Sequence, residues 1–385
     1  MQKPTHDSMR PDSGAKRPSP SFLNLLETLV IGAVGAELFN LANIPAAYLA
    51  GAMVLVAIAA LAGRPVGVPR PVARCFFVVV GLSLGSVVNP ESLHGVAAWP
   101  ISIAAVVVAM ACVTLSTMYY LRRVHGWDTM TALFAGVPGA LSQVLVHAAE
   151  EKCDVRGIAI VQTMRVVILT VGVPALLAAL GQGGPTRLAV APSSLFAAPL
   201  ELAVMVAAAV AVAALLLRVG FPGGLMIGPM AVSAILHGTG LITVTLPMWA
   251  MIGGMVGLGA VSGSRFTNTP LFILWSYLGA ALGSFAVAIA VSGAFVLALA
   301  VGLGLRVGDL TVAFSPGAID AMMVLALALH IDPVFVGAHH IARVFAVSFS
   351  LPLVIRYMSR RSGRREDHSD VKKTGQSGGP DSDMD

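Results

Sequence analysis

Charge is what this sequence has least of. Asp, Glu, Lys and Arg make up 11% of its 385 residues, against about a quarter in ordinary soluble domains. That deficit excludes a water-soluble enzyme. The 57% of hydrophobic side chains also excludes a disordered chain, which needs low hydrophobicity and high charge. Cysteine is nearly missing. Cys75, Cys112 and Cys153 are odd in number and contain no Cys-x-x-Cys, so they read as packing or loop thiols and not as a disulfide framework. Catalytic signatures are absent too. There is no Gly-x-Ser-x-Gly elbow and no His-Glu-x-x-His, and no glycine run follows a strand as a nucleotide loop would. No catalytic residue, cofactor or metal is expected.

The charges that exist sit at the ends. Residues 1–22 hold four basic and two acidic groups, residues 356–385 seven and six, and the 333 residues between them only 13 and 11. With a mean hydropathy of +0.85, this is the composition of a polytopic membrane protein between short polar tails. The basic balance follows from those flanks and is no sign of nucleic acid. The first 22 residues carry no cleavage site after a short apolar stretch, so they read as a cytoplasmic tail and not a signal peptide.

Apolar stretches long enough for a crossing are expected at 23–43, 46–63, 72–88, 97–121 and 157–180. A second set falls at 198–217, 225–243, 249–266, 271–304 and 334–357. The stretch 271–304 is long for one crossing and must tilt, kink near Ser292-Gly293 or emerge from the bilayer. Two further apolar segments, 129–149 and 309–329, are interrupted by Gly136-Val137-Pro138-Gly139-Ala140 and Phe314-Ser315-Pro316-Gly317-Ala318. The organisation expected is a tail (1–22), a membrane repeat (23–180), a linker (181–197), a second membrane repeat (198–357) and a tail (358–385).

The two halves repeat. At an offset of 178, Pro138-Gly139-Ala140 matches Pro316-Gly317-Ala318, Asp154 matches Asp332, Arg165-Val166 matches Arg343-Val344 and Pro174 matches Pro352. Pro45, Gly51 and Met53 match Pro222, Gly228 and Met230 at 177. Basic residues favour cytoplasmic loops, and the halves carry them in complementary places. Arg64, Arg70, Arg74, Arg122, Arg123, Lys152 and Arg156 have almost no counterparts in the second half, which has Arg218 and Arg265 where the first half has none. Opposite orientation explains this if each half crosses five times and each broken segment re-enters on one side. Both termini are then cytoplasmic, and Arg306 is the misfit. Twelve crossings with parallel halves is the rival. The fold expected is all-α and membrane-integral: two inverted repeats of about five transmembrane helices, each with a broken or re-entrant helix.

Backbone groups freed by a mid-membrane break must face protein, water or a ligand. Two such breaks related by an inverted repeat are the layout of a secondary-transporter site. The site candidates are therefore Pro138, Gly139, Ser142 and Gln143 at the first break, and Pro316, Gly317 and Asp320 at the second. Gln162 and Arg165, with His339, His340 and Arg343, follow on the next helices. Asp320 is a carboxylate among apolar residues and could carry a proton or ligate sodium. Each arginine either balances a carboxylate or has a structural role. The paired histidines suit a proton relay or a substrate contact better than a metal, because neighbours on a helix point apart. A kink for packing alone is the alternative at both breaks.

These paired motifs, with Asp154-Val155-Arg156 and Asp332-Pro333, resemble the membrane AbrB family of bacteria, built from a duplicated AbrB domain, over roughly residues 25–357. The family usually has a glycine where Ala318 stands and an acidic residue one place after Asp320. The resemblance brings two labels, ammonia monooxygenase and regulator of gene expression. It also implies a layout similar to proton- or sodium-coupled transporters. Secondary transport of a small solute, such as an organic anion, is the leading expectation. A membrane regulator or sensor comes second and a monooxygenase third. The partners expected are the lipid bilayer of the bacterial inner membrane, a small solute or ion, and further copies of the chain in a homo-oligomer.

Overall fold

The computed structural model describes residues 21–87, 99–138, 141–181, 199–221 and 223–375, without the side chains of 142, 143 and 359–375. The expected linker therefore lies almost wholly outside the described residues. So do Gly139 and the side chains of Ser142 and Gln143.

Among the described residues the chain forms 14 α-helices and no strand. The first seven are α1 (Phe22–Leu41), α2 (Ala47–Leu61), α3 (Arg70–Gly85), α4 (Trp99–Val124), α5 (Thr129–Gly136), α6 (Leu141–Glu150) and α7 (Val155–Ala179). The others are α8 (Pro199–Arg218), α9 (Gly224–Gly238), α10 (Met248–Gly263), α11 (Leu271–Leu303), α12 (Val307–Phe314), α13 (Ile319–Ala328) and α14 (Pro333–Gly375). The starts of α1 and α2 recur 177 residues later in α8 and α9. Those of α3, α5, α6 and α7 recur 178 later in α10, α12, α13 and α14. The duplication seen in the sequence is thus a duplication of helices.

The chemistry at the helix ends repeats as well. Asp154 accepts a hydrogen bond from the Gly157 amide (3.1 Å), and Asp332 accepts from the amides of Val334 (2.8 Å) and Phe335 (3.3 Å). The repeated aspartates are N-caps of α7 and α14. Pro138 and Pro316 stop α5 and α12. The residue before a proline is pushed out of the helical region, and Val137 (ψ 121°) and Ser315 (ψ 129°) are both extended.

Six helices, α1, α4, α7, α8, α11 and α14 up to Met358, are long and apolar enough to cross a bilayer, which marks a membrane protein. The other four expected spans, α2, α3, α9 and α10, have only 15 or 16 residues. At 1.5 Å per residue they reach about 23 Å, short of a hydrocarbon core of roughly 30 Å. The apolar run had extended them into turns. α11 continues unbroken through Ser292-Gly293 for 33 residues, so the helix is not interrupted there. α14 runs past the expected span end as far as Gly375.

The repeats are not separate bodies. α1–α3 and α8–α10 interlock in one bundle, and α4–α7 and α11–α14 form a second, with fewer links between the bundles. In the first bundle glycines let helices from opposite halves touch. Gly81 and Gly85 of α3 lie against the carbonyls of Met226 and Met230 of α9, while Gly259 and Gly263 of α10 lie against those of Leu49 and Met53 of α2. A side chain at any of the four would strike backbone. The two contacts exchange under the repeat, so a pseudo-two-fold relates the halves. In each, a step of four on one helix matches a step of four on its partner, so α3 runs with α9 and α10 runs with α2.

Candidate functional site

The two broken segments sit in the second bundle, each packed against the long helix that follows it. Freed carbonyls at the end of a half-helix need donors, and the repeated arginines supply them. Arg165 is 4% exposed and donates through Nη1 to the Gly136 carbonyl (3.4 Å) and through Nη2 to that of Val137 (3.2 Å). Arg343 is 2% exposed and donates through Nη1 to the Ser315 carbonyl (2.7 Å) and through Nη2 to that of Gly317 (2.6 Å). A guanidinium at a helix C-terminus also faces the negative end of the dipole. Among the described residues neither arginine forms an ion pair. Both arginines therefore cap the broken helices.

Gln162 and His340 occupy equivalent sites and do equivalent work. The Gln162 amide donates to the Phe134 carbonyl (2.8 Å), and His340 Nε2 contacts the carbonyl of Val312 (3.2 Å), itself the repeat counterpart of Phe134. The partners fix the histidine's tautomer. Arg343 Nη2 lies 2.6 Å from His340 Nδ1 and can only donate, so Nδ1 is an acceptor and Nε2 carries the proton. His340 is thus neutral and fully engaged. His339 turns the other way. Its Nδ1 donates to the Phe335 carbonyl (2.7 Å) and its Nε2 meets Ser102 Oγ on α4 (2.9 Å). Both rings are fully buried. The structure brings His340 to the break and leaves His339 as a helix-packing residue. Among the described residues no three His, Cys, Asp or Glu side chains converge as a metal site needs.

Asp320 is half-buried in the first turn of α13, where a carboxylate faces the positive end of the half-helix. The cation whose field reaches it is Arg265, in the short 3-10 turn Ser264–Phe266 after α10. Arg265 comes from the first bundle. It joins Gln162, Arg165, Pro316, Gly317 and Ala318 around a cavity of about 30 Å³. A second cavity of about 10 Å³ lies beyond Pro316, where Pro138, Ser292 and Arg343 meet apolar side chains of α4. The structure thus gathers Pro138, Gln162, Arg165, Pro316, Gly317 and Arg343 around two small cavities separated by one proline. Arg265 and Ser292 were not singled out for the site from sequence. Ser292 carried a signal, as a polar residue in mid-span whose counterpart at 178 is Thr114. Arg265 carried none, because its place here depends on how the bundles pack.

The family described as "Transition state regulatory protein AbrB" matches residues 48–359. The chain is 25% identical over 332 residues to the Escherichia coli (strain K12) protein named "Putative regulator AbrB", covering 85% of this chain and 94% of that one. It is 24% identical over 377 residues to the Bacillus subtilis (strain 168) protein named "Uncharacterized protein YhjN", covering 89% and 96%. No solved structure matches. With its family match spanning most of the chain and both broken segments, this protein belongs to the AbrB family.

Proposed function

We propose that this protein is a secondary transporter of a small solute in the bacterial inner membrane, built from two inverted repeats and coupled to a proton or sodium ion through Asp320. The observation that carries the reading is the cavity between two proline-broken helices of opposite repeats, lined by Arg165 from the second bundle and Arg265 from the first. Broken helices are tolerated at membrane depth where they line a cavity. A cavity with walls on two bundles opens or closes when one bundle moves against the other.

The helix directions support inversion. If α2 and α3 cross consecutively, they run opposite ways. α9 is the counterpart of α2 and runs with α3, so it opposes α2. On that reading both termini are cytoplasmic, and the larger cavity faces the cytoplasm with Arg265 at its mouth. Asp320 lies two residues beyond Ala318 of the cavity lining and feels the charge of Arg265, which also lines it. Through that shared arginine its charge state and solute binding affect each other.

The test is flux in liposomes holding the purified protein. Small anions applied outside should drive proton or sodium movement, and Asp320→Asn should abolish it while leaving the protein folded. Solute binding without flux, together with altered transcription on deletion, would favour a membrane sensor instead. The relative named as a regulator is what favours that second reading.

A further inference from the structure

We infer that the solute is a small monovalent anion, and that the two cavities flanking Pro316 are successive stations on its path. The inference rests on the transport reading for its path but not for its binding site. Its first support is charge. Arg165 and Arg343 are buried and line the two cavities that share Pro316. Their only described partners are backbone carbonyls and one neutral histidine. A buried charge is costly unless an opposite charge accompanies it. Asp320, in the first turn after the second break, is already addressed by Arg265. One negative charge against three guanidiniums leaves a field that draws an anion in.

The second support is independent of the first. Among the described residues four buried polar atoms lack a partner, Thr117 Oγ1, Asp309 Oδ1, Arg343 Nε and Ser292 Oγ. The last two belong to residues around one cavity, the smaller, and both residues are nearly inaccessible, at 2% and 4% exposure. An N–H and a hydroxyl, both able to donate, suit an anion. Cavity size limits the guest. A water-sized body needs about 10–15 Å³ of such space. The smaller cavity, about 10 Å³, is at that limit, and the larger, about 30 Å³, has room for two. A halide is somewhat larger than a water molecule, so it suits the larger cavity and needs the smaller one to widen slightly, whereas an organic anion needs a far more open state.

Bromide is the probe. The full-length protein in detergent is titrated with sodium bromide, with sodium gluconate holding the ionic strength, and its melting temperature is followed. A saturable rise that chloride also gives, that is not additive with chloride, and that gluconate does not give is the expected result. Ser292→Ala should weaken the bromide midpoint about tenfold, the loss of one hydrogen bond to a charged group. It removes no partner that another residue needs, so it should fold. Arg165→Gln, which keeps an amide donor for the carbonyls, should weaken it further. Equal curves in bromide and gluconate, or a midpoint untouched by Ser292→Ala, would overturn the anion site. Bromide binding without flux would defeat transport and leave the site standing. Flux of an uncharged solute without bromide binding would do the reverse.

Discussion

The two breaks share a geometry and differ in how tightly it is held. At the second break Arg343 grips its carbonyls at 2.6–2.7 Å and is braced by His340. At the first, the described bonds of Arg165 are longer, 3.2–3.4 Å, and Gln162 donates to the Phe134 carbonyl. The acidic residues are uneven as well. Asp309 and Asp320 stand in the second repeat where Thr131 and Ser142 stand in the first. Duplication kept the parts that satisfy a broken backbone and let the surrounding chemistry diverge. At the second break the arginine is shared between two carbonyls and a histidine, while at the first it also lines the larger cavity.

The sharpest way to break this comparison is to remove each arginine. Arg343→Ala strands two carbonyls and a histidine nitrogen in the interior, at about 1–3 kcal/mol for each orphaned group, so a loss of about 4 kcal/mol is expected. Arg165→Ala should cost about half that. Thermal unfolding in detergent reads both, and equal losses would erase the distinction between the breaks. A second test concerns the interlocked glycines. Gly85→Ala and Gly263→Ala each drive a methyl into backbone of the opposite repeat and should each cost about 3 kcal/mol, as overpacking does. A loss confined to one would refute the pseudo-two-fold.

His340 offers a third test. His340→Leu should cost about 2 kcal/mol by orphaning the Val312 carbonyl and one Arg343 donor. His340→Gln, which copies the first repeat, should recover most of it. The smallest effect lies at Lys152 and His330, repeat counterparts held at φ 55° and 54°. A left-handed conformation costs most side chains about 1–2 kcal/mol, so Lys152→Gly and His330→Gly should each raise stability by about 1 kcal/mol.

Much of this was legible in the sequence because prolines and glycines act locally. Pro138 and Pro316 predict breaks at the positions where α5 and α12 end, and the offsets of 177 and 178 carry over to the helix starts. Asp154 and Asp332, matched in the sequence as part of the repeat, are helix caps. What was not legible depends on packing. The short length of α2, α3, α9 and α10 was hidden by apolar turns that look like more helix. The role of Arg165 and Arg343 requires knowing that the helix after each break folds back along it. Arg265 meets Arg165 only through the contact between bundles, and no spacing in the chain encodes that.

The central claim is that the halves are inverted, and one pair of positions tests it. Native Cys153 is a poor reporter, because burial and the nearby Asp128, Glu151 and Asp154 push its thiol up, against one opposing hydrogen bond from Thr131, and the thiol form reacts slowly. Its neighbour Lys152 and the counterpart His330 are both exposed. In a protein stripped of its three cysteines, Lys152→Cys and His330→Cys are labelled with a membrane-impermeant maleimide on intact cells. Inversion predicts that position 330 reacts from outside and that position 152 reacts only once the membrane is opened. Reaction of both from the same side would mean parallel halves and would contradict the account.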